Sequence, residues 1–277
     1  MAPLAHTLAL LAMAVATVAI KVVSLDMALD SFDDQYLKCS AKMSEKFREL
    51  QRSDFLKNDE FASNWAKAMA QWQNRRSVSS PLTPDEAIAL MAYTMKELNL
   101  YKRFNDAVRE AGSSSWKYRN EFHFKSLHFL LTRALQKLRR QNDCKVVYRG
   151  VSGYQFEVNK DDKVRFGQFT STSLSKTVPQ EFGQDTMFTV NTCHGVDIQK
   201  FSMYPGEKEV LIPPFETFEV TGVSKIRYRT HIELRSTGNS SNYDCEWLKG
   251  GSLPRNSPHL GALLLATVAM AVITGTL

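Results

Sequence analysis

The spacing of apolar residues changes near residue 142, and this change restricts the folds that the chain can adopt. Before it, apolar residues recur at steps of three and four, which predicts helices over residues 39–50, 59–72 and 122–140. After it come short apolar runs between turn residues. These runs predict strands over residues 146–148, 164–170, 187–192, 209–212, 217–223 and 226–234. Helices first and strands later favour one α+β domain over alternating β-α units.

A further helix is marked by its first residues, Thr83-Pro84-Asp85-Glu86. Thr83 is suited to cap the helix, Pro84 fits the first turn, and Glu86 completes a capping box. The apolar residues that follow extend this helix to Tyr93.

The composition is that of an ordinary globular protein, since 43% of the 277 residues are hydrophobic and 23% are charged. The formal net charge is +6, with Lys and Arg spread along the chain. No basic run is interleaved with aromatic residues, so we expect no nucleic-acid partner.

Both ends of the chain are apolar, which predicts export. Residues 4–20 contain no acid, lysine or arginine and predict a signal peptide over residues 1–24, cleaved between Ala19 and Ser24. The alternative is an N-terminal membrane anchor.

Residues 260–277 are also uncharged, and they follow a polar spacer and the small residues Gly250, Gly251 and Ser252. This order predicts a GPI-anchor signal over residues 251–277, with a plain apolar tail anchor as the alternative.

The terminal signals leave residues 25–250 as a single domain outside the cell. We expect it to be held at the surface by a GPI anchor or secreted, with membrane contact only through the lipid.

The four cysteines form an even set, which suggests two disulfides in an exported chain and leaves three pairings open. No C-x-x-C spacing occurs, so we expect no zinc or other metal site. Asn239-Ser240-Ser241 is a glycosylation sequon.

Three short elements in the second half carry chemically useful side chains. They are Tyr148-Arg149-Gly150, the hydroxyl-rich run Phe169–Ser173, and the turn Tyr204–Glu209. Each alone has an ordinary explanation as a strand end or a surface turn. Together they favour one site, because an arginine can hold a pyrophosphate and paired carboxylates can stabilise an oxocarbenium-like transition state. If Glu207 and Glu209 lie on one strand, both face the same cleft.

These elements resemble the arginine–serine–glutamate signature of the vertebrate ecto-ADP-ribosyltransferases, relatives of the cholera-toxin-like and clostridial ADP-ribosylating toxins. The likeness extends over nearly the whole chain and includes residues 92–94, 164–169 and 209–214. It implies a helical N-terminal half packed on a mixed or antiparallel β-sandwich core. It also implies a mono-ADP-ribosyltransferase that cleaves NAD+, releases nicotinamide and transfers ADP-ribose to arginine side chains of proteins.

The resemblance implies a role for each residue that would contact NAD+. Arg149 would bind the phosphates, and the backbone of Gly150 would hold the nicotinamide amide. Ser171 would position the catalytic glutamate and contact the ribose. Glu209 would be that glutamate and stabilise the oxocarbenium ion. Further cofactor contacts are expected at three positions, Tyr93, Gln168 and Ser202.

Two residues of the turn are expected to contact the acceptor protein. Glu207 would orient the target guanidinium and help remove its proton, and Tyr204 would contact the substrate. The resemblance further implies the disulfides Cys39–Cys245 and Cys144–Cys193, no metal, and NAD+ as a consumed substrate. Two alternatives remain: an NAD+ glycohydrolase, and a non-enzymatic surface antigen on the same scaffold.

Overall fold

The computed structural model describes residues 20–75, 79–141 and 143–249. Most of the predicted signal peptide and the whole predicted anchor signal lie outside these residues. Within the described ranges no helix is both long and apolar enough to cross a membrane.

The first half of the chain is helical, as the periodicity predicts. The capping box at Thr83 and Glu86 is present, and it begins the helix that carries Tyr93. The predicted helix over 39–50 is wrong in extent, because the backbone breaks at Lys46 and the second part continues to Lys57. The helices of the first half are α1 (Ser40–Glu45), α2 (Phe47–Lys57), α3 (Asp59–Gln73), α4 (Pro84–Thr94), a 3-10 helix (Lys96–Leu98), α5 (Leu100–Ala111), α6 (Ser115–Asn120) and α7 (Lys125–Leu138).

The second half forms strands, short α-helices and a 3-10 helix (Pro205–Glu207). The strands are β2 (Lys145–Val151), β3 (Tyr154–Glu157), β4 (Lys163–Val164), β5 (Thr170–Ser173), β6 (Thr186–Thr192), β7 (Val196–Asp197), β8 (Glu209–Ile212), β9 (Glu216–Ile226) and β10 (Arg229–Asn239). The helices are α8 (Val178–Phe182) and α9 (Glu246–Lys249). An N-terminal strand, β1 (Lys21–Ser24), pairs parallel with β3.

Eight strands make one mixed sheet in the order β4-β9-β10-β6-β2-β5-β8-β7. Among the strand pairs that the structure describes in this sheet, only β10–β6 is parallel. Val164 of β4 and Ile212 of β8 come from near opposite ends of this order, yet they share one apolar cluster. The sheet therefore closes around that cluster as a sandwich. A second cluster joins the helices to Phe169 and Leu211.

The predicted strand over 164–170 is wrong, because the chain leaves the sheet after Val164 and re-enters it at Thr170. The backbone N–H of Arg165 donates to Asp26 O rather than to a neighbouring strand. Gly167 has φ +63, and a Cβ there would lie 2.3 Å from the Cβ of Ala28. Beyond this irregular segment, β5 pairs with β8.

Two disulfides link parts of the chain that are far apart in sequence. Cys39 bonds to Cys245 and Cys144 to Cys193, the pairing that the resemblance implies. The first joins the start of the helical half to the end of the described chain. The sequon residue Asn239 is exposed at the end of β10.

Candidate active site

Adjacent strands bring Arg149, Ser171 and Glu209 together. The residues lie on β2, β5 and β8, which neighbour one another in the sheet. The Arg149 guanidinium donates from Nη1 to the Ser171 carbonyl at 2.8 Å. In the β5–β8 ladder Ser173 pairs with Glu209, so Ser171 and Glu209 lie on the same face of the sheet. Arg149 and Glu209, which are 60 positions apart in the sequence, thus lie at one site.

Glu209 is a buried carboxylate. Only 6% of the residue is exposed, and the Ser202 hydroxyl lies 3.4 Å from Oε2. Burial raises the pKa of Glu209 to about 7, and the charge of Glu207 also raises it. The hydroxyls of Ser171 and Ser202 and the charge of Lys96 act in the opposite direction. Near neutral pH this group therefore exchanges between the acid and the carboxylate.

The Arg149 guanidinium supplies the positive charge beside this carboxylate. Burial lowers the pKa of Arg149, while the nearby Tyr93, Tyr101 and Glu209 raise it. An arginine keeps its charge under such shifts and offers a planar set of donors. The group is suited to bind a phosphate or pyrophosphate.

The sequence suggested that Glu207 lies on a strand, but in the structure it lies in a turn beside the site. It belongs to a 3-10 helix, Pro205–Glu207, and Lys208 with φ +50 separates it from β8. The expectation that Glu207 and Glu209 share a strand is therefore wrong, because β8 begins at Glu209. The two carboxylates are nevertheless near enough for Glu207 to raise the pKa of Glu209.

Three side-chain hydroxyls from residues outside the turn of residues 203–208 form hydrogen bonds with its backbone. Thr94 Oγ1 accepts from Met203 N at 2.9 Å, and Ser202 Oγ accepts from Tyr204 N at 3.1 Å. Ser173 Oγ donates to the carbonyl of Glu207 at 2.7 Å. The predicted serine and threonine cluster of β5 thus positions the turn as well as Glu209.

Lys96 and Phe182 also belong to this site, and neither is predicted from the sequence. The Lys96 ammonium forms an ion pair with Glu207 and lies 4.4 Å from the Phe182 ring and 4.8 Å from the Tyr204 ring. Tyr204 also donates from its hydroxyl to Glu97 Oε2 at 2.8 Å. Neither residue lies in a recognisable motif, so the sequence alone held no signal for them.

The remaining predicted residues surround these groups. Tyr93 is buried and donates to Phe169 O at 2.8 Å, which places it behind the site rather than at its surface. Gly150 packs against the backbone of Pro179, so close that a Cβ would lie 2.1 Å from its carbonyl oxygen. Gln168 is half-buried just before β5. Gly150 therefore has a packing reason to be glycine, apart from any ligand contact.

A separate cavity of about 710 Å³ is lined by residues at the end of α7 and around β7, including Arg140, Asp197 and Lys200. None of the predicted site residues lines it. Among the residues that the structure describes, no group of three or more His, Cys, Asp or Glu is arranged to hold a metal ion.

The comparisons with known proteins identify the family of this chain. The family model described as NAD:arginine ADP-ribosyltransferase matches residues 25–242. The chain belongs to this family. NAD(P)(+)–arginine ADP-ribosyltransferase 2 of Gallus gallus is 48% identical over 257 residues, which cover 91% of this chain and 82% of that protein.

A human member of the family, GPI-linked NAD(P)(+)–arginine ADP-ribosyltransferase 1 of Homo sapiens, is 42% identical over 257 residues, covering 86% of this chain and 78% of the relative. The crystal structure of the eucaryotic mono-ADP-ribosyltransferase ART2.2 matches with a TM-score of 0.72 and 40% identity, covering 80% of this chain and 98% of that one. A mutant of that enzyme was solved in complex with NAD. The α+β architecture expected from the sequence is thereby confirmed.

Proposed function

We propose that this protein is an NAD+–protein-arginine ADP-ribosyltransferase that cleaves NAD+, releases nicotinamide and transfers ADP-ribose to arginine side chains of proteins. The observation that carries this proposal is the convergence of Arg149, Ser171 and the buried Glu209 on three adjacent strands. Membership of the family supports the same reaction.

The first step breaks the bond between the ribose C1′ and the nicotinamide nitrogen, and the bonding electron pair leaves with nicotinamide. The ribose becomes an oxocarbenium ion, which needs an anion beside it. Glu209, ionised and held by the hydroxyls of Ser171 and Ser202, supplies that anion in a site of low polarity, where the attraction is strong. Arg149 holds the phosphates of the dinucleotide, and the backbone of Gly150 receives the nicotinamide amide.

In the second step a guanidinium nitrogen of the acceptor bonds to C1′ and gives up a proton. Glu207 orients the guanidinium and receives that proton, since it lies at the rim of the site and is partly open to solvent. Tyr204 contacts the acceptor, and the half-buried Gln168 borders the cofactor. Tyr93 acts indirectly, because its hydroxyl holds the segment that leads into β5.

NAD+ glycohydrolysis is the second candidate function, and one contact favours it as a side reaction. Glu207 is already paired with Lys96. While that pair lasts, Glu207 is not free to orient a guanidinium, and water can attack C1′ instead, losing its proton to solvent.

Two substitutions test the assignment. We expect Glu209→Gln to lower both agmatine modification and NAD+ hydrolysis by at least 100-fold, because the anion beside the oxocarbenium ion is lost. Glu207→Gln should lower modification of agmatine much more than hydrolysis. The measurements are labelled ADP-ribosyl-agmatine formation and nicotinamide release.

Glu233→Gln, a change at an exposed position of β10, is the matched control and should leave both rates unchanged. Normal agmatine modification by the Glu209 variant would refute the catalytic assignment. A wild-type protein that consumes no NAD+ would favour a non-enzymatic surface role.

For location, we infer an extracellular protein bound to the cell surface through a GPI anchor, as the terminal signals and the GPI-linked human relative suggest. Cleavage of the signal peptide near Ala19, at the start of the predicted window, would keep β1 paired with β3. We expect phosphatidylinositol-specific phospholipase C to release the protein from cells. If it stays with the membrane after treatment while a known GPI-anchored protein is released, the anchor assignment is wrong.

A further inference from the structure

The ammonium group of Lys96 lies in a cage made by three side chains from two other elements. Glu207 and Tyr204 come from the turn of residues 203–208, and Phe182 ends α8. The Glu207 carboxylate pairs with the ammonium, and the two aromatic rings lie 4.8 and 4.4 Å from Nζ. We refer to Glu207, Tyr204 and Phe182 as the cation cage.

The cation cage has the chemistry of a binding site for an organic cation. A carboxylate attracts the charge, and aromatic faces stabilise a cation that lies within about 6 Å of the ring centre. A guanidinium suits such a cage at least as well as an ammonium, because it is planar, stacks on rings and forms paired hydrogen bonds with a carboxylate.

Two walls of the cage, Tyr204 and Glu207, are held in place relative to the base of the Lys96 side chain. Tyr204 donates to Glu97, the residue next to Lys96, at 2.8 Å. Leu98 of the same 3-10 helix is buried, and Ser173 holds the carbonyl of Glu207 at 2.7 Å. The Lys96 side chain itself is 44% exposed. The ammonium can therefore leave the cage without any rearrangement of the backbone.

We propose that Lys96 is an internal cation that occupies the acceptor subsite, so that the guanidinium of an incoming arginine must displace it. This inference rests on the proposed function, since it identifies the cation cage as the place where the acceptor binds. Lys96 then acts as a specificity-determining residue: it weakens the binding of acceptors that offer little beyond a guanidinium. Protein acceptors with additional contacts overcome the competition more easily.

An ordinary surface ion pair would have a different effect. Such a pair contributes little to stability, and its loss leaves the affinity for a second cation unchanged or lowers it if the lysine helped to shape the site. Competition predicts the reverse, because removal of the internal cation raises the affinity for the external one.

The test compares Lys96→Met, which keeps the length of the side chain without its charge, with the wild-type protein and with Lys102→Met. Lys102 is exposed on α5 and provides the same change in net charge away from the cage. We expect Lys96→Met to lower the KM for agmatine about 3- to 10-fold, in line with a surface ion pair and cation–π contacts. The KM for NAD+ should change less, and Lys102→Met should match the wild type.

Calorimetric titration of agmatine into the NAD+-free protein separates this inference from the proposed function. Lys96→Met should bind agmatine 3- to 10-fold more tightly than the wild type, whether or not the protein is active. The gain should disappear when Glu207→Gln is added. Wild-type NAD+ consumption, measured in parallel, tests the reaction itself.

Lys96→Arg gives a second readout, because it places a guanidinium in the cation cage. We expect this variant to modify itself at position 96 when NAD+ is supplied, at a rate per molecule that does not depend on protein concentration. Peptide mass spectrometry identifies the site. The proposal is overturned if Lys96→Met leaves the agmatine affinity unchanged or weakens it in a protein with wild-type circular dichroism.

Discussion

Glu209 is a residue whose burial serves the reaction at the expense of stability. Its pKa is about 7 in the folded protein, against 4.5 for an ordinary glutamate. Between these two pH values the folded state keeps a proton that the unfolded chain has released. The free energy of unfolding therefore falls as the pH rises through this interval, and the full loss is present above pH 7.

This linkage gives a prediction for Glu209→Gln that does not depend on activity. Glutamine carries no charge at any pH, so the variant should be more stable than the wild type above pH 7 by about 1–3 kcal/mol. The difference should vanish below the ordinary glutamate pKa, where both side chains are neutral. Urea denaturation across this pH range measures it, with the exposed Glu233→Gln as the control. A variant no more stable than the wild type at high pH would show that burial does not raise the pKa of Glu209.

At the scale of single residues, the sequence predicted those site residues that stand in a motif. It did not predict the residues whose contacts depend on the fold. Arg149, Ser171 and Glu209 stand in recognisable patterns, and the structure brings them together. Glu207 does not continue the strand of Glu209, because Lys208 adopts a left-handed conformation that ends the turn before β8. Lys96 gives no local signal, because its role arises only from elements distant in sequence.

Among the elements, α4 links the helical half to the site. It carries Tyr93, whose hydroxyl donates to Phe169 O and accepts from Asn105 Nδ2 at 3.1 Å. The start of α4 is readable in the sequence because capping is local. Helix α5 was missed, although Leu100, Phe104 and Val108 follow a helical step and are buried. The break between β4 and β5 was not readable, since it depends on contacts of Gly167 with the N-terminal segment.

The capping box of α4 leads to a prediction about the helix rather than the chemistry. Thr83 accepts from Glu86 N at 3.3 Å, and Glu86 in turn accepts from Thr83 N at 2.8 Å. We expect Thr83→Ala to lower the free energy of unfolding by about 1 kcal/mol, because it leaves an N–H of the first turn without a side-chain partner. Urea denaturation measures this loss. Thr83→Ser should restore most of it, and a Ser variant as unstable as the Ala variant would argue against the cap.

On the scale of the whole molecule, one buried ion pair joins the two ends of the described chain. Arg165 and Asp33 meet at 2.6 Å, with 1% and 0% of their side chains exposed. Arg165 also donates to Met27 O and Ser240 O, both at 2.7 Å, and Asp33 accepts from the backbone of Asn242 at 2.8 Å. The hydrogen bonds of this pair thus fasten the N-terminal and C-terminal segments beside β4.

Removal of one member should therefore destabilise the whole fold. We expect Arg165→Met to lower the free energy of unfolding by about 3–5 kcal/mol, because the Asp33 charge is left buried without its partner.

The control is Arg235→Met on β10. This change breaks a pair with Glu219 whose side chains are 62% and 31% exposed, and it should cost less than about 1 kcal/mol. Both are measured by urea denaturation with the disulfides intact. Nicotinamide release per folded molecule should stay within about twofold of the wild type for Arg235→Met, whose ion pair lies on the exposed side of β9 and β10. A loss for Arg165→Met as small as that for Arg235→Met would mean that the N-terminal and C-terminal segments are held by the disulfide and the apolar contacts instead.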